Sequence, residues 1–182
     1  MSADMIEVVI DSIRVSLMSQ QRIVILREVD AERYLPIWIG VYEAESITIA
    51  LQEVEVARPL THDLVKNIFG TLNARVTRVE VVALRDDTFY GNIVAEVDDR
   101  TLNIDSRPSD ALALAVRSHV PILVARSVMD SAGIVPEEDL QEERTETGSD
   151  EGETSSERLE VFEDFFEKFN LDDSEEDDEE KE

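Results

Sequence analysis

Cysteine is absent from this 182-residue chain, and glycine and proline are scarce, with six and five residues. Without cysteine the chain has no disulfide, thiolate nucleophile, zinc finger or iron–sulfur cluster. No apolar run approaches the roughly 20 residues of a membrane-spanning helix. The N terminus lacks the basic stretch and apolar run of a signal peptide. These absences predict a cytoplasmic protein that does not act in a membrane.

Basic residues are also few, with 17 Lys and Arg against 43 Asp and Glu, so the formal net charge is −26. The acidic excess is concentrated near the C terminus. Residues 1–135 carry 13 basic and 20 acidic side chains, a net charge of −7, whereas residues 136–182 carry 4 and 23, a net charge of −19. A negative field repels phosphate, so a nucleic-acid partner would require local positive charge or a metal ion.

Alternating apolar residues predict two groups of three β-strands. The first group covers residues 6–39 and the second covers residues 79–104. In the second group, Asp86-Asp87 and Asp98-Asp99 supply the turns between strands. A last short strand is predicted at 121–124, where the sequence is Pro-Ile-Leu-Val.

Helical spacing predicts three helices, which begin near Glu43, Thr61 and Pro108. The hydroxyl of Thr61 is expected to cap the second helix. The third helix is apolar nearly all round, so it should be buried on most sides. The predicted buried stripes of the first and second helices are Ala44, Ile47, Leu51 and Val54, and Leu64, Ile68 and Leu72.

These elements predict an α+β fold over residues 1–135, with two antiparallel β-meanders that are each followed by helix. A shift of 65 residues aligns several apolar positions of the two groups, but the lengths of their turns do not match. An internal duplication is therefore a hypothesis.

The acidic C-terminal part divides into three predicted segments. Residues 136–156 have almost no large apolar side chain and predict a flexible linker. Residues 157–171 predict a short amphipathic helix that docks on the core or on a protein partner, because it is too short to be stable alone. Its apolar stripe consists of Leu159, Phe162, Phe166 and Phe169. Residues 172–182 predict a disordered acidic end.

The first polar cluster is Arg58-Pro-Leu-Thr-His-Asp63, at the start of the second helix. The positive end of the helix dipole favours the neutral form of His62, which a general base or metal ligand requires. Asp63 is a candidate orienting carboxylate, and Arg58 is a candidate phosphate contact. In the alternative interpretation, Thr61 and Asp63 only cap the helix and His62 points to water.

The second polar cluster is Asp105-Ser-Arg-Pro-Ser-Asp110, at the start of the third helix. The planar guanidinium of Arg107 can bind a phosphate or a carboxylate, while Asp105 and Asp110 can hold a divalent cation. Glu43 and Glu45 are further candidate metal ligands, although glutamate is also common in a first helical turn. In the alternative interpretation, this cluster is a salt bridge with a helix cap.

Five strings carry a family resemblance: Leu-Pro-Ile-Trp-Ile-Gly (35–40), Glu43-Ala44, Arg-Pro-Leu-Thr-His-Asp-Leu (58–64), Thr-Phe-Tyr (88–90) and Asp-Ser-Arg-Pro-Ser-Asp-Ala-Leu-Ala-Leu-Ala (105–115). Together they closely resemble the bifunctional nuclease family, over about residues 5–133. The resemblance implies a compact α+β domain, an oligomer, and the DNase and RNase activity reported for some members.

The first interpretation is therefore a nuclease that acts on DNA and RNA with little sequence preference, assisted by Mg²⁺ or Mn²⁺. The predicted catalytic residues are His62, Asp63, Arg107 and Asp110, the substrate contacts are Arg58 and Arg107, and the metal ligands are Asp105, Asp110, Glu43 and Glu45. The rival interpretation is a non-enzymatic ligand-binding or assembly domain. Convergence of His62, Arg107 and Asp110 would favour the nuclease.

Overall fold

The computed structural model describes residues 4–16 and 21–136 of the chain. The predicted acidic linker, apart from Pro136, lies outside the described residues. The predicted amphipathic helix at 157–171 and the acidic end at 172–182 also lie outside them, so these predictions stay predictions.

The described residues form seven strands and four helices. In chain order these are β1 (Met5–Val15), β2 (Arg22–Glu28), β3 (Tyr34–Ile39), α1 (Val41–Leu51), α2 (Thr61–Thr71), β4 (Arg75–Arg85), β5 (Thr88–Val97), β6 (Arg100–Ser106), α3 (Pro108–Ser118), β7 (Ile122–Ala125) and α4 (Arg126–Ala132). None of these helices is long and apolar enough to cross a membrane.

The strands form one mixed sheet in the order β3-β2-β1-β7-β4-β5-β6. Strands β1 to β3 are one antiparallel meander, and β4 to β6 are a second. Strand β7 joins the two, since it pairs antiparallel with β1 and parallel with β4. The predicted α+β class and the two meanders are confirmed. The internal duplication stays a hypothesis.

The two predicted turns of the second meander are tight hairpins. Asp86 and Asp87 have φ values of 47° and 58°, and Asp98 and Asp99 have φ values of 48° and 58°. Two consecutive left-handed residues match the twist of the flanking strands, and Asp tolerates this conformation better than most residues. The acidic pairs therefore fix the register of β4, β5 and β6.

Helix α3 lies at the centre of the helical layer. It packs between α1 and α2 and against β4 and β5. Residues 111–115 are at most 1% exposed, which confirms the predicted burial on most sides. The apolar residues 111–115 lose no polar contacts on burial, so every side of this stretch contributes to the hydrophobic core.

The predicted buried stripe of α2 is wrong. Leu64, Ile68 and Leu72 are 55%, 48% and 65% exposed, whereas Val65 and Phe69 pack against the core. Helix α2 packs mainly on α3 rather than on the broad face of the sheet, so a narrow contact buries little of its surface. Apolar periodicity identified the helix correctly but could not say which apolar side meets its neighbour.

Two further predictions at helix ends are corrected. In α1 only Ala44 and Ile47 are buried; Leu51, its last residue, and Val54, which lies beyond it, are 46% and 49% exposed. Thr61 is the first residue of α2 and not its cap, because the N-cap position belongs to Leu60. The Leu60 amide instead donates to the Asp63 carboxylate.

Helix α4 was not predicted. It follows β7 directly and buries Val128 and Met129, which are each 1% exposed. Only seven residues form this helix, too few for a helical period to appear in the sequence. Its formation depends on the tertiary contacts that it makes with β3, β4 and β7.

Candidate functional site

His62 connects three helices. It lies in the first turn of α2, where its Nδ1 is 2.8 Å from the Ser46 hydroxyl of α1 and its Nε2 is 3.2 Å from an Asp110 carboxylate oxygen of α3. The imidazole is 13% exposed. Both ring nitrogens are therefore engaged, and the ring orientation is fixed by groups from two other elements.

Arg107 occupies the N-cap position of α3 and is held by two carboxylates. Its Nε and Nη2 donate to the two oxygens of Asp110 at 2.8 and 3.2 Å. Its Nη2 is also 2.7 Å from a carboxylate oxygen of Glu43, in the first turn of α1. The Arg107 side chain is nevertheless 66% exposed. A fixed guanidinium thus lies at the surface beside His62.

Two glycines allow the backbone to reach this arrangement. A Cβ on Gly91 of β5 would lie 2.9 Å from Pro108 N and 3.0 Å from the Arg107 carbonyl carbon, so only glycine lets β5 approach the start of α3 this closely. A Cβ on Gly40 would collide with the Glu43 carboxylate. Substitution of Gly91 would displace the backbone at Arg107 itself, and substitution of Gly40 would move the Glu43 carboxylate that contacts Arg107.

The electrostatics of the cluster favour an ionised carboxylate. Burial acts to raise the pKa of Asp110, but hydrogen bonds from Arg107 and His62 outweigh it, and the net effect lowers the pKa below its ordinary value. The same contacts, with that of Glu43, raise the pKa of Arg107. Asp110 therefore accepts hydrogen bonds only, and Arg107 stays charged.

Asp63 lies apart from this group although it follows His62 directly. One of its oxygens accepts from the Leu60 amide at 2.8 Å, and the other accepts from Nε of Arg117 at 2.7 Å. Burial raises the pKa of Asp63, but these two hydrogen bonds lower it further than burial raises it. Asp63 fixes α2 against α3, and the structure gives its carboxylate this positioning role.

Three other predicted site residues are not brought to the cluster. In the register of β5 and β6, Asp105 lies opposite Asn92 and its neighbour Ser106 lies opposite Gly91. A side chain at Gly91 would point to the face of the sheet that carries α3. Because side chains alternate along a strand, Asp105 points to the opposite face of the sheet. The other two, Glu45 and Arg58, are exposed on α1 and on the connection before α2.

Glu45 is two residues from Glu43, so its side chain leaves α1 on a different side. Within residues 4–16 and 21–136, no three His, Asp or Glu side chains are grouped as ligands for one metal ion. Metal binding by Glu43, Glu45, Asp105 and Asp110 stays a prediction, which the observed placement does not favour.

Two residues that shape the site were not predicted from the sequence. Ser46 contacts His62, and Arg117 is buried in α3, where it pairs with Asp63 and donates to the Ala113 carbonyl at 2.9 Å. Arg117 had a signal, because it is the one charged residue in an otherwise apolar stretch of α3 beyond Asp110. Ser46 had none, because a serine on a helix is ordinary.

The helices and strands of this cluster fall within a match to a family model. The model, described as the bifunctional nuclease domain, matches residues 24–137. The chain belongs to the bifunctional nuclease domain family. All five members of the cluster, which are Glu43, Ser46, His62, Arg107 and Asp110, lie inside the matched range.

Relatives of this bifunctional nuclease domain occur in bacteria and plants. An uncharacterized protein of Mycobacterium tuberculosis is 40% identical over 154 residues, which are 84% of this chain and 92% of that protein. Bifunctional nuclease 2 of rice (Oryza sativa subsp. japonica) is 33% identical over 118 residues, 63% of this chain and 36% of that protein. Bifunctional nuclease 2 of Arabidopsis thaliana is 29% identical over 103 residues, 55% of this chain and 31% of that protein. The match thus spans about a third of each plant protein.

The chemistry available to this bifunctional nuclease domain is that of an anion site beside a base. Glu43, His62 and Asp110 all lie in the first turns of their helices, and Arg107 is the N-cap of α3. The first turns of three helices therefore meet here, and each contributes a partial positive charge. The cluster can attract an anion and accept a proton.

Proposed function

We propose that the protein is a nuclease that hydrolyses phosphodiester bonds of DNA and RNA with little sequence preference. Membership of the family and the names of the plant relatives support this proposal. The observation that carries it is Arg107, exposed and fixed beside His62. Across the described residues its Nη1 makes no hydrogen bond, so two N–H groups remain to bind phosphate oxygens.

Binding of phosphate to Arg107 overcomes the acidity of the folded part. The net charge of residues 1–135 is −7, and Glu43 and Asp110 lie directly against the guanidinium. The three helix N-termini and the unused Nη1 donors act on a phosphate at short range, whereas the distant charges are screened. A backbone phosphate offers no base edge to read, which accounts for the low sequence preference. Arg58 is exposed four residues before His62 and lies outside the cluster, so its role as a second phosphate contact stays a prediction.

His62 is the proposed proton acceptor. A carboxylate can only accept, so Asp110 requires the hydrogen of His62 to lie on Nε2, and this leaves a lone pair on Nδ1. The hydroxyl group that attacks the phosphorus atom gives its proton to Nδ1. Asp110 then stabilises the imidazolium that forms. Asp63 contributes indirectly, since its bond to Arg117 holds the first turn of α2 in place.

The proposal includes assistance by Mg²⁺ or Mn²⁺, but none of the proton transfers described above depends on the metal ion. Glu43 and Asp110 are the carboxylates nearest to the proposed phosphate position, and both already hold Arg107. A divalent ion bound there would neutralise charge that develops on the phosphate oxygens. Loss of cleavage on addition of EDTA would support it, and unchanged cleavage would contradict it.

The proposal is tested with the full chain on single-stranded RNA and DNA in Mg²⁺ or Mn²⁺. The double variant His62→Ala, Asp110→Asn should lower the rate by about 10²- to 10⁴-fold, the usual contribution of acid–base groups. Glu96→Gln is the matched control, because it removes a carboxylate from an exposed ion pair with Arg75. Equal activity in the wild type and the double variant would identify a contaminating nuclease.

A second candidate is a non-enzymatic binding or assembly domain. Two observations favour it: Arg107 and Arg117, at the two ends of α3, each pair with an aspartate of the same chain, and the Leu64, Ile68 and Leu72 stripe of α2 is exposed. This candidate predicts no cleavage and a homo-oligomer in size-exclusion chromatography with light scattering. A homo-oligomer, a protein partner and a cytoplasmic location otherwise stay predictions.

A further inference from the structure

Ser46 differs from the other hydroxyl residues within the helices near it. Thr48 of α1 and Thr71 of α2 each donate to the carbonyl four residues earlier, at 2.9 and 2.8 Å. Such back-bonding is the common arrangement for a hydroxyl inside a helix. The Ser46 hydroxyl instead lies 2.8 Å from His62 Nδ1, so it is directed at an imidazole of the proposed site.

The direction of the proton between Ser46 and His62 follows from the third group. Asp110 is ionised and only accepts, so His62 carries its hydrogen on Nε2 and has a lone pair on Nδ1. The Ser46 O–H must then donate to Nδ1. A hydroxyl whose proton already points at a base is prepared for attack as an alkoxide.

We infer that Ser46 is the nucleophile of the proposed phosphodiesterase, activated by His62 and Asp110. The inference rests on the proposed function and deepens it. The order of groups is hydroxyl, imidazole and carboxylate, as in serine hydrolases, although here the hydroxyl is on Nδ1 and the carboxylate on Nε2. Ser46 is partly exposed.

The reaction proceeds in two balanced steps. In the first, the Ser46 oxygen bonds to phosphorus, its proton moves to His62 Nδ1, and the bond to the leaving sugar oxygen breaks as that oxygen takes the proton from the imidazolium. In the second, water gives a proton to Nδ1 and its oxygen bonds to phosphorus. The bond between phosphorus and the Ser46 oxygen then breaks, and that oxygen takes the proton back from the His62 imidazolium, which yields a phosphomonoester and free serine.

Arg107 has a defined part in both steps. It shares the Asp110 carboxylate with His62, since Asp110 Oδ1 lies 3.2 Å from both His62 Nε2 and Arg107 Nη2. A phosphate bound by the unused Nη1 donors is therefore held near the imidazole. Charge that builds up on the non-bridging oxygens during attack is stabilised by a guanidinium that does not have to reorganise.

The experiment treats the full chain with a fluorophosphonate, which forms a stable adduct with activated serine hydroxyls, and locates the adduct by mass spectrometry of peptides. The wild type and the variants Ser46→Ala, His62→Ala and Thr48→Val are compared, and circular dichroism verifies folding. Thr48→Val is the matched control, because it removes a hydroxyl of the same helix that bonds only to backbone. Cleavage of single-stranded RNA is measured in parallel.

An adduct on Ser46 in the wild type and in Thr48→Val, with at least a tenfold decrease in His62→Ala, supports the inference. Loss of RNA cleavage by roughly 10³-fold or more in Ser46→Ala supports it as well. No adduct on Ser46, or equal labelling in His62→Ala, overturns it. Ser46→Ala that cleaves RNA within threefold of the wild type also overturns it but leaves the nuclease proposal standing. An adduct on Ser46 without cleavage of RNA or DNA supports the nucleophile and overturns the nuclease.

Discussion

The two ends of α3 use the same chemistry for different purposes. At the N-terminal end, Arg107 pairs with Asp110 and its side chain is 66% exposed. At the C-terminal end, Arg117 pairs with Asp63 and its side chain is 6% exposed. Both pairs are arginine–aspartate contacts shorter than 3 Å, yet only the first presents its guanidinium to solvent.

Burial explains the difference. The Arg117 side chain is almost completely removed from water, so its donors need protein partners, and Asp63 and the Ala113 carbonyl accept from two of them. Lys66 of α2 adds a bond to the Arg117 carbonyl. Arg107 remains hydrated and has spare donors, so it can exchange partners. The comparison shows that burial separates a charged pair that stabilises the fold from one that is available to a ligand.

The largest expected effect is on stability at the buried end. Arg117→Met should lower the free energy of unfolding by about 3 kcal/mol, the low end for breaking a buried pair, because Asp63 retains partial contact with water. Arg107→Met, the matched control, should change it by less than about 1 kcal/mol because its pair is exposed. Urea denaturation measures both.

For binding of nucleic acid, the order of the two variants should be reversed, with the larger effect in Arg107→Met. Arg107→Met is expected to weaken binding of single-stranded nucleic acid, measured by fluorescence anisotropy at low salt, because it removes the proposed phosphate contact. If Arg117→Met costs no more stability than Arg107→Met, the proposed division between the two ends of α3 is wrong.

A second, smaller effect is expected on the stability of the fold at acidic pH. Both Asp63 and Asp110 have a pKa below the ordinary value of 3.8. Their contributions to stability are therefore fully present above that value and are lost as the pH falls through the lowered pKa of each group. Melting temperatures of the wild type and of Asp63→Asn should differ at pH 6 and approach each other as the pH falls below 3.8. A difference that widens in acid would contradict the assigned role of Asp63.

The smallest expected effect is on the stability of variants in the exposed apolar stripe of α2. Leu64→Gln and Ile68→Gln should each change the free energy of unfolding by no more than about 0.5 kcal/mol, because these side chains are already exposed. The control Ile47→Ala, at a fully buried position of α1, should cost about 2–5 kcal/mol. A loss above about 1 kcal/mol for the α2 variants in urea denaturation would show that the stripe is covered in solution, as a homo-oligomer would do.

Local patterns predicted most of the secondary structure. Alternation located the strands, and the two Asp–Asp pairs located hairpins, because these signals depend on a few neighbouring residues. The exposed stripe of α2 and the short α4 were not predictable in this way. Which side of α2 is buried depends on α3, and α4 depends in part on contacts with β3 and β4, which are distant in sequence.

The candidate site was predicted in part. His62, Arg107 and Asp110 were identified from their positions at helix starts, and the structure places them together. Asp105 was predicted from its place before the third helix and Glu45 from its place at the start of the first helix, but neither the alternation of β6 nor the turn of α1 brings them to the cluster. Ser46 was not identified, because its neighbour in space is 16 residues away in the chain.

The sequence by itself determined the two meanders, their tight turns and the burial of α3, since each follows from the order of polar and apolar residues over a short range. Only the tertiary structure decided that the meanders share one sheet through β7 and that His62 lies between Ser46 and Asp110. His62 and Asp110 are 48 residues apart. Their contact depends on the packing of α2 against α3, and no local pattern encodes which faces of two helices will meet.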